Sequence, residues 1–249
     1  MHVDQIYNQL PVKLRLSVYD AVYYLIKPKI RHLYKKFISK GDLVFDIGAN
    51  KGVLTDVFVK LGAKVVAVDP QPKCVRELKK RFMGNDKVTI IAKGLGSKCE
   101  TREFYISTKN HTTSTFSKKF INGSRLKHRK WDKKIKVEMI TLDDLIAEYG
   151  VPSFCKIDTE GFDWQVIKGL SQPIPVIEFE FHEEFLEDVN KSIQHLDLLG
   201  KVEFNYSPYF AYTLIHKKWL SEEKIYKELE MLKHSFVPHV EGDIFARFV

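Results

Sequence analysis

Cysteine is scarce and makes no pattern. The 249 residues hold three, Cys74, Cys99 and Cys155, odd in number and far apart. Without a Cys-x-x-Cys pair, neither a disulfide framework nor a zinc knuckle is expected, and a reducing, cytoplasmic compartment fits the chain best. No run approaches the ~18 consecutive apolar residues of a membrane span, and the amino terminus lacks the cationic-then-apolar layout of a signal peptide. Internal repeats are absent, and no Pro/Gly-rich linker marks a second large domain. Acids are missing in two places. From Lys27 to Lys40 six basic residues face none, and between Lys118 and Lys136 nine Lys or Arg face only Asp132. The second stretch alone accounts for a charge equal to the net +8 of the whole chain. Either patch would attract an anionic partner such as nucleic acid, a phosphosugar or a membrane surface; the plain alternative is a solvated lysine-rich face.

What is present is organised around Leu43 to Gly52. Leu43-Val44-Phe45-Asp46-Ile47 shows no alternation and reads as a strand buried on both faces. It ends in Gly48-Ala49-Asn50-Lys51-Gly52, and Val53, Leu54, Val57, Phe58 and Leu61 follow at helical spacing, closed by Gly62. A second strand, Val65 to Val68, delivers Asp69 and Pro70. Strand, glycine turn, helix and strand make a βαβ unit whose carboxyl edge is a nucleotide crevice. Gly48 would let a ligand pass close to the backbone, the opening amides of the helix would face a carboxylate or phosphate, and Asp69 would accept a ribose's hydroxyls. The dinucleotide pattern Gly-x-Gly-x-x-Gly is missing. In its place stands Asp46-x-Gly48-x-Asn50-x-Gly52, whose acid would repel a pyrophosphate and suit an ammonium. S-adenosylmethionine carries an ammonium, a carboxylate and a ribose. A turn whose glycines serve packing alone is the blander reading.

Along the rest of the chain, residues 1–40 read as a helical extension. Val18, Val22 and Leu25 share a face until Pro28, which should end or kink that helix; Ile30, Leu33, Tyr34, Phe37 and Ile38 follow at helical spacing. This extension is expected to pack beside the sheet. The main domain is expected over 41–249. Pro72 opens a helix, Val88 to Ala92 is a third strand and Thr101 to Ile106 an extra one. Residues 107–136 form a basic insert or lid with little apolar pattern, containing the run His111 to Thr115. Thr141 and Asp144 form a capping box. Strands follow at Phe154–Ile157, Val176–Phe181, Val202–Tyr206 and Ile244–Val249, with helices between.

At Asp46 to Gly52, at Thr141-Leu-Asp-Asp-Leu145, and at Lys156-Ile-Asp-Thr-Glu-Gly-Phe162, the sequence resembles class I S-adenosylmethionine-dependent methyltransferases, and more narrowly the FkbM family. The resemblance covers roughly residues 40 to 182. It implies a Rossmann-like α/β fold with a seven-stranded, mostly parallel sheet, the last strand antiparallel, and helices on both faces. It also implies a cofactor site at Asp46, Gly48, Asn50, Lys51, Gly52, Asp69, Pro70 and Asp158, with Gly94 and Leu95 on the adenine side. Lys51 stands where a small or apolar residue is common.

Asp46, Asp69, Asp158, Glu160, Glu180, His182 and Glu183 all fall at strand ends. His182 has the side-chain chemistry of a general base for a hydroxyl acceptor. Asp158 and Glu160 would orient the ammonium and the acceptor; as an alternative, Asp158 with Glu180 or His182 could hold a divalent cation. The leading reading is methyl transfer to a hydroxyl of a sugar, glycan or small metabolite, the sugar being implied by the family. The rivals are an RNA ribose methyltransferase using the basic insert, a non-catalytic cofactor-binding module, and a nicotinamide oxidoreductase disfavoured by Asp46. No Asn-Pro-Pro or Asp-Pro-Pro motif of base-nitrogen methylation is present.

Overall fold

A computed structural model describes residues 26–123, 129–209, 211–233 and 240–249. In chain order a helix α1 (residues 26–34) precedes β1 (Leu43–Ile47), α2 (Val53–Leu61), β2 (Lys64–Val68), α3 (Pro72–Arg81) and β3 (Val88–Ile91). There follow β4 (Gly94–Leu95), β5 (Glu100–Ile106), α4 (Lys118–Gly123), β6 (Lys133–Ile140), α5 (Leu142–Tyr149), β7 (Phe154–Ile157) and α6 (Asp163–Ile167). The last elements are β8 (Val176–His182), α7 (Leu186–Leu199), β9 (Val202–Pro208), α8 (Glu222–Lys233) and β10 (Glu241–Phe248).

Strand β1 lacks alternation because both of its neighbours and both of its faces are protein. It pairs in parallel with β2 on one side and β7 on the other. The main sheet runs β3-β2-β1-β7-β8-β10-β9, with β10 antiparallel to both β8 and β9. This is the expected seven-stranded sheet with its last strand reversed. The direction of winding changes between β1 and β7, which is where an open α/β sheet leaves a crevice for ligands.

Two cores flank this sheet. One holds Phe45, Ile157, Phe179 and Ile244 with α5, α6 and α7. The small sheet β4-β6-β5 packs onto the same core through Phe104, Val137 and Met139, so the extra strand expected at 101–106 is part of a three-stranded layer. The other core holds Val44, Phe154, Val176 and Phe245 beneath α1 and α2. There the α1 face Ile30, Leu33 and Tyr34 is buried, and Phe37 stacks between Phe154 and Phe245 at 5.8 and 5.3 Å. Each such buried aromatic or branched side chain contributes about 1.5–3 kcal/mol of transfer free energy.

Helix α1 therefore packs beside the sheet as expected. Pro28 lies within the described helical residues rather than ahead of them. The expected face Val18, Val22 and Leu25 lies outside the described residues. Thr141 and Asp144 form the capping box of α5, each bonding the other's backbone N–H. Among the described residues no helix is long and apolar enough to cross a membrane.

The basic insert is more structured than its composition suggests. Residues 118–123 are helical, with the Ser117 hydroxyl accepting from the Phe120 N–H, and β6 begins at Lys133, inside the stretch 107–136 expected to be insert. Lys133, Lys134 and Lys136 thus belong to a paired strand. Arg125 and Lys127 lie outside the described residues.

Candidate functional site

Side chains alternate along a strand, so register places whole rows on one face. On the α1 face, residues level with Phe154 are apolar: Val44 on β1 and Val176 on β8. One row toward the carboxyl ends lie Asp46, Lys156 and Glu178, on β1, β7 and β8. In the next row Asp69 and Gly48 follow β2 and β1, Asp158 follows β7, and Glu180 and Asp243 face each other from β8 and β10. His182 opposite Glu241 completes the edge. The apolar face becomes ionic where the strands end.

The turn after β1 is built from left-handed residues. Gly48, Asn50 and Gly52 have φ of 81°, 51° and 75°. A Cβ on Gly48 would lie 1.8 Å from the Asp158 carbonyl oxygen, so the glycine is required by the end of β7 as well as by the turn. Gly52 is the N-cap of α2. Asn50 presents its N–H to Asp69 Oδ2 at 2.8 Å, and Gln71 N–H reaches Oδ1 at 2.8 Å. Each Asp69 oxygen keeps a lone pair for a further donor. Burial raises the Asp69 pKa to about 7 against those two amides. Asp46 sits inside β1 ahead of the turn, buried, accepting from the Thr55 hydroxyl of α2; burial raises its pKa. Lys51 and Pro70 flank the turn, half-buried.

Asp158 is the more open carboxylate. Its Oδ2 lies 2.9 Å from the buried Lys156 ammonium while its side chain remains 39% exposed, which turns it toward the crevice. Glu160 has a left-handed φ of 55° and is followed by Gly161 at 78°. Burial, then Glu180, Asp158 and Asp163, push the Glu160 carboxyl well above the usual range, against a lowering by Arg129. His182 is sandwiched: Nε2 lies 2.9 Å from Glu180 and Nδ1 3.4 Å from Glu241. Two carboxylates, from β8 and β10, therefore flank the ring. Tyr209 stands by this row. Half of its surface is exposed, yet its hydroxyl is pushed up by burial and by Glu180, Glu160 and Asp158.

The serine and threonine run of the insert crosses from the β2 end of the row to the loop after β7. Ser114 Oγ accepts from Gln71 Nε2 at 2.9 Å, two residues past Asp69, and Thr115 Oγ1 donates to the Glu160 carbonyl at 2.7 Å. Trp131 Nε1 holds the Thr113 carbonyl at 2.8 Å. Gly94 and Leu95 are buried in the small sheet, where Gly94 abuts Met139 and Phe116. Part of the insert's charge is spent internally: Lys119 pairs with Asp188 at 2.9 Å and Lys134 lies 3.9 Å from Glu103.

Residues 46–207, well over half of the chain, match the methyltransferase FkbM domain. The chain belongs to this family. Its three motifs, at Asp46, Thr141 and Lys156, fall respectively in the crevice turn, in the cap of α5 and at the end of β7. A chloroplastic ribosomal RNA small subunit methyltransferase of Arabidopsis thaliana is 36% identical over 70 residues, 28% of this chain and 20% of that protein. An rRNA adenine N-6-methyltransferase of Bacteroides fragilis is 33% identical over 99 residues, 40% of this chain and 34% of that one. The alignments thus span about a fifth to a third of these relatives' length. Among solved structures, a precorrin-6y C5,15-methyltransferase of Geobacter metallireducens has a TM-score of 0.46 at 12% identity, covering 89% of this chain and 87% of that one. An O-methyltransferase of Bacillus cereus in complex with SAH scores 0.44 at 10% identity, covering 88% and 79%.

The FkbM-domain crevice brings together the Asp69 carboxylate, the N-terminus of α2 after Gly52 and the acids around Asp158. Among the described residues no group of three His, Cys, Asp or Glu side chains is arranged to hold a metal ion. The structure brings Asp46, Asp69, Asp158, Glu160 and His182, all named from the sequence, to one edge of the sheet, and adds Lys156, Glu241, Asp243, Tyr209 and Gln71, which the sequence did not single out. The signal for Lys156 was available, as a lysine inside an otherwise apolar four-residue strand. None existed for Glu241 and Asp243, because only register brings β10 to β8.

Proposed function

We propose that the protein binds S-adenosylmethionine in the β1–β7 crevice and transfers its methyl group to a hydroxyl of a sugar, glycan or small metabolite. The observation that carries this reading is the ionic row. Asp46, Asp158, Glu180 and Asp243 share a face with one lysine, a field that repels a pyrophosphate and favours a cationic donor.

When bound, the cofactor supplies a methyl group activated by its sulfonium. The chain's own residues bind, orient and deprotonate. Asp69 accepts the ribose hydroxyls on the lone pairs that Asn50 and Gln71 leave. The amides opening α2 face the carboxylate, as helix N-termini do. Asp46 and Asp158 favour the ammonium. His182 takes the acceptor's hydroxyl proton, its ring oriented by Glu180 and Glu241, a contribution worth about 10²–10⁴-fold in rate. Ser114 and Thr115 close the site against water.

An RNA acceptor, by the residue reading a ribose hydroxyl, is a second reading; Arg129, whose charge acts on Glu160 at the crevice, favours it, and the names of the rRNA-modifying relatives favour RNA without favouring the ribose, one of them being an adenine N-6 enzyme. Transfer of labelled methyl from S-adenosylmethionine into sugars, glycans, metabolites and RNA, with and without chelator, tests both. Incorporation into a hydroxyl is expected, and the chelator lane reads any divalent cation. Binding to RNA that weakens steeply with salt would favour the RNA reading. Cofactor binding without turnover, unaltered by His182→Ala, would mark a non-catalytic module.

A further inference from the structure

The buried ammonium of Lys156 has no role in the steps above, yet it is the cation that touches the crevice carboxylate. Lys156 is 5% exposed on β7, between Asp46 of β1 and Glu178 of β8. Its Nζ lies 2.9 Å from Asp158 Oδ2. Glu178 is 1% exposed; its Oε1 accepts from the Tyr34 hydroxyl of α1 at 2.9 Å, and its Oε2 has no hydrogen-bond partner among the described residues. A buried carboxylate oxygen without a donor is costly, and the charge of Lys156, level with Glu178 on the neighbouring strand, offsets part of that cost. We propose that Lys156 is a positioning residue that holds the Asp158 carboxylate at the crevice, and that Tyr34 fixes Lys156 in turn through Glu178.

Three observations support this arrangement. Asp158 faces acidic groups on every side: Asp46 and Asp69 from β1 and β2, Glu178, Glu180 and Asp243 from β8 and β10, Glu160 from its own loop, Asp163 from the start of α6, and the Tyr209 hydroxyl beyond β9. Without a fixed cation these charges would drive the carboxylate to swing out. Burial alone would strip Lys156 of its proton, but Asp158, Glu178, Asp243 and Asp46 hold it charged. Lastly, Tyr34 cannot relax away, since its ring is wedged edge-on against Phe58 and Phe154 at 4.9 and 5.7 Å. Tyr34 and Asp243 lie outside the residues matched by the family, 46–207, so this support comes from the chain's flanks.

The functional importance of Asp158 rests on the reading given under Proposed function; the positioning itself does not. The test is the carboxyl-carbon NMR spectrum, at one fixed pH, of the ligand-free protein labelled at aspartate, with Asp158 identified by its loss in Asp158→Asn. Lys156→Met is expected to move the Asp158 resonance and broaden it as the carboxylate samples other positions, and Lys156→Arg to keep it near the parent position. Tyr34→Phe, which keeps the ring and removes one oxygen, should move it the same way by less. An unmoved resonance in either Lys156→Met or Tyr34→Phe overturns the proposal, and should Lys156→Met fail to fold, Tyr34→Phe decides alone. Calorimetry with S-adenosylhomocysteine on the same samples is a separate readout. Loss of binding in the parent protein contradicts the methyl-donor reading and leaves the NMR result standing.

Discussion

Asp69 carries two demands that pull its proton in opposite directions. Burial raises its pKa to about 7, whereas accepting ribose hydroxyls requires the ionised form. Below that value each binding event must remove a proton, so affinity for S-adenosylhomocysteine should strengthen as pH rises from 6 to 8, by up to about tenfold per unit on the acid side. Calorimetry across that range reads the slope, and Asp69→Asn should flatten it while weakening binding by ~100-fold, the worth of a charged hydrogen bond or two. His182 behaves differently because it sits at the far end of the row, between Glu180 and Glu241. His182→Ala should leave cofactor affinity within a few-fold and lower kcat by about 10²–10⁴. Equal losses of affinity in the two variants would show that the roles are wrongly divided.

At the scale of elements, the turn after β1 was legible because its geometry demands particular residues. Left-handed backbone at 48, 50 and 52 is filled by Gly, Asn and Gly, the residue types that tolerate it. The capping box of α5 was legible for a similar reason, since the reciprocal bonds need an oxygen at both Thr141 and Asp144. Gly48 has a second constraint that no local pattern contains, the Asp158 carbonyl against its bare face. Gly48→Ala should therefore cost on the order of 3 kcal/mol or more, combining left-handed strain with overpacking, and chemical denaturation measures it. Ser, Thr and Lys hide the packing of the insert from its sequence. Its anchors are the buried Phe116 and Phe120 and the bonds from Ser114 and Thr115, too few to make a periodic signal. Lys156 was passed over as part of a motif string; its importance lies in neighbours on β1 and β8, and Tyr34 is 144 residues from Glu178.

For the molecule as a whole, the ionic row is a stability liability that a ligand can offset. Asp69, Asp163 and Asp243 are each raised to about 7, burial being the first cause in every case. Carboxyls whose folded pKa exceeds the unfolded value near ~3.9 stabilise the fold when protonated, and that contribution is lost as pH rises through the folded value. The ligand-free protein should accordingly show a falling thermal midpoint between pH 5 and 8. Saturating S-adenosylmethionine, which brings positive charge to the acids, should flatten the fall. A ligand-free midpoint that climbs over this range would contradict the burial of these groups.

Scanning calorimetry aside, the most direct measurement is a paired titration of the parent protein with S-adenosylhomocysteine and with NADH under identical conditions. A crevice whose acids select a sulfonium-derived nucleoside predicts saturable binding of the first, abolished in Asp69→Ala, and none of the second. Saturable NADH binding, or a first titration indistinguishable from dilution heat, would contradict it.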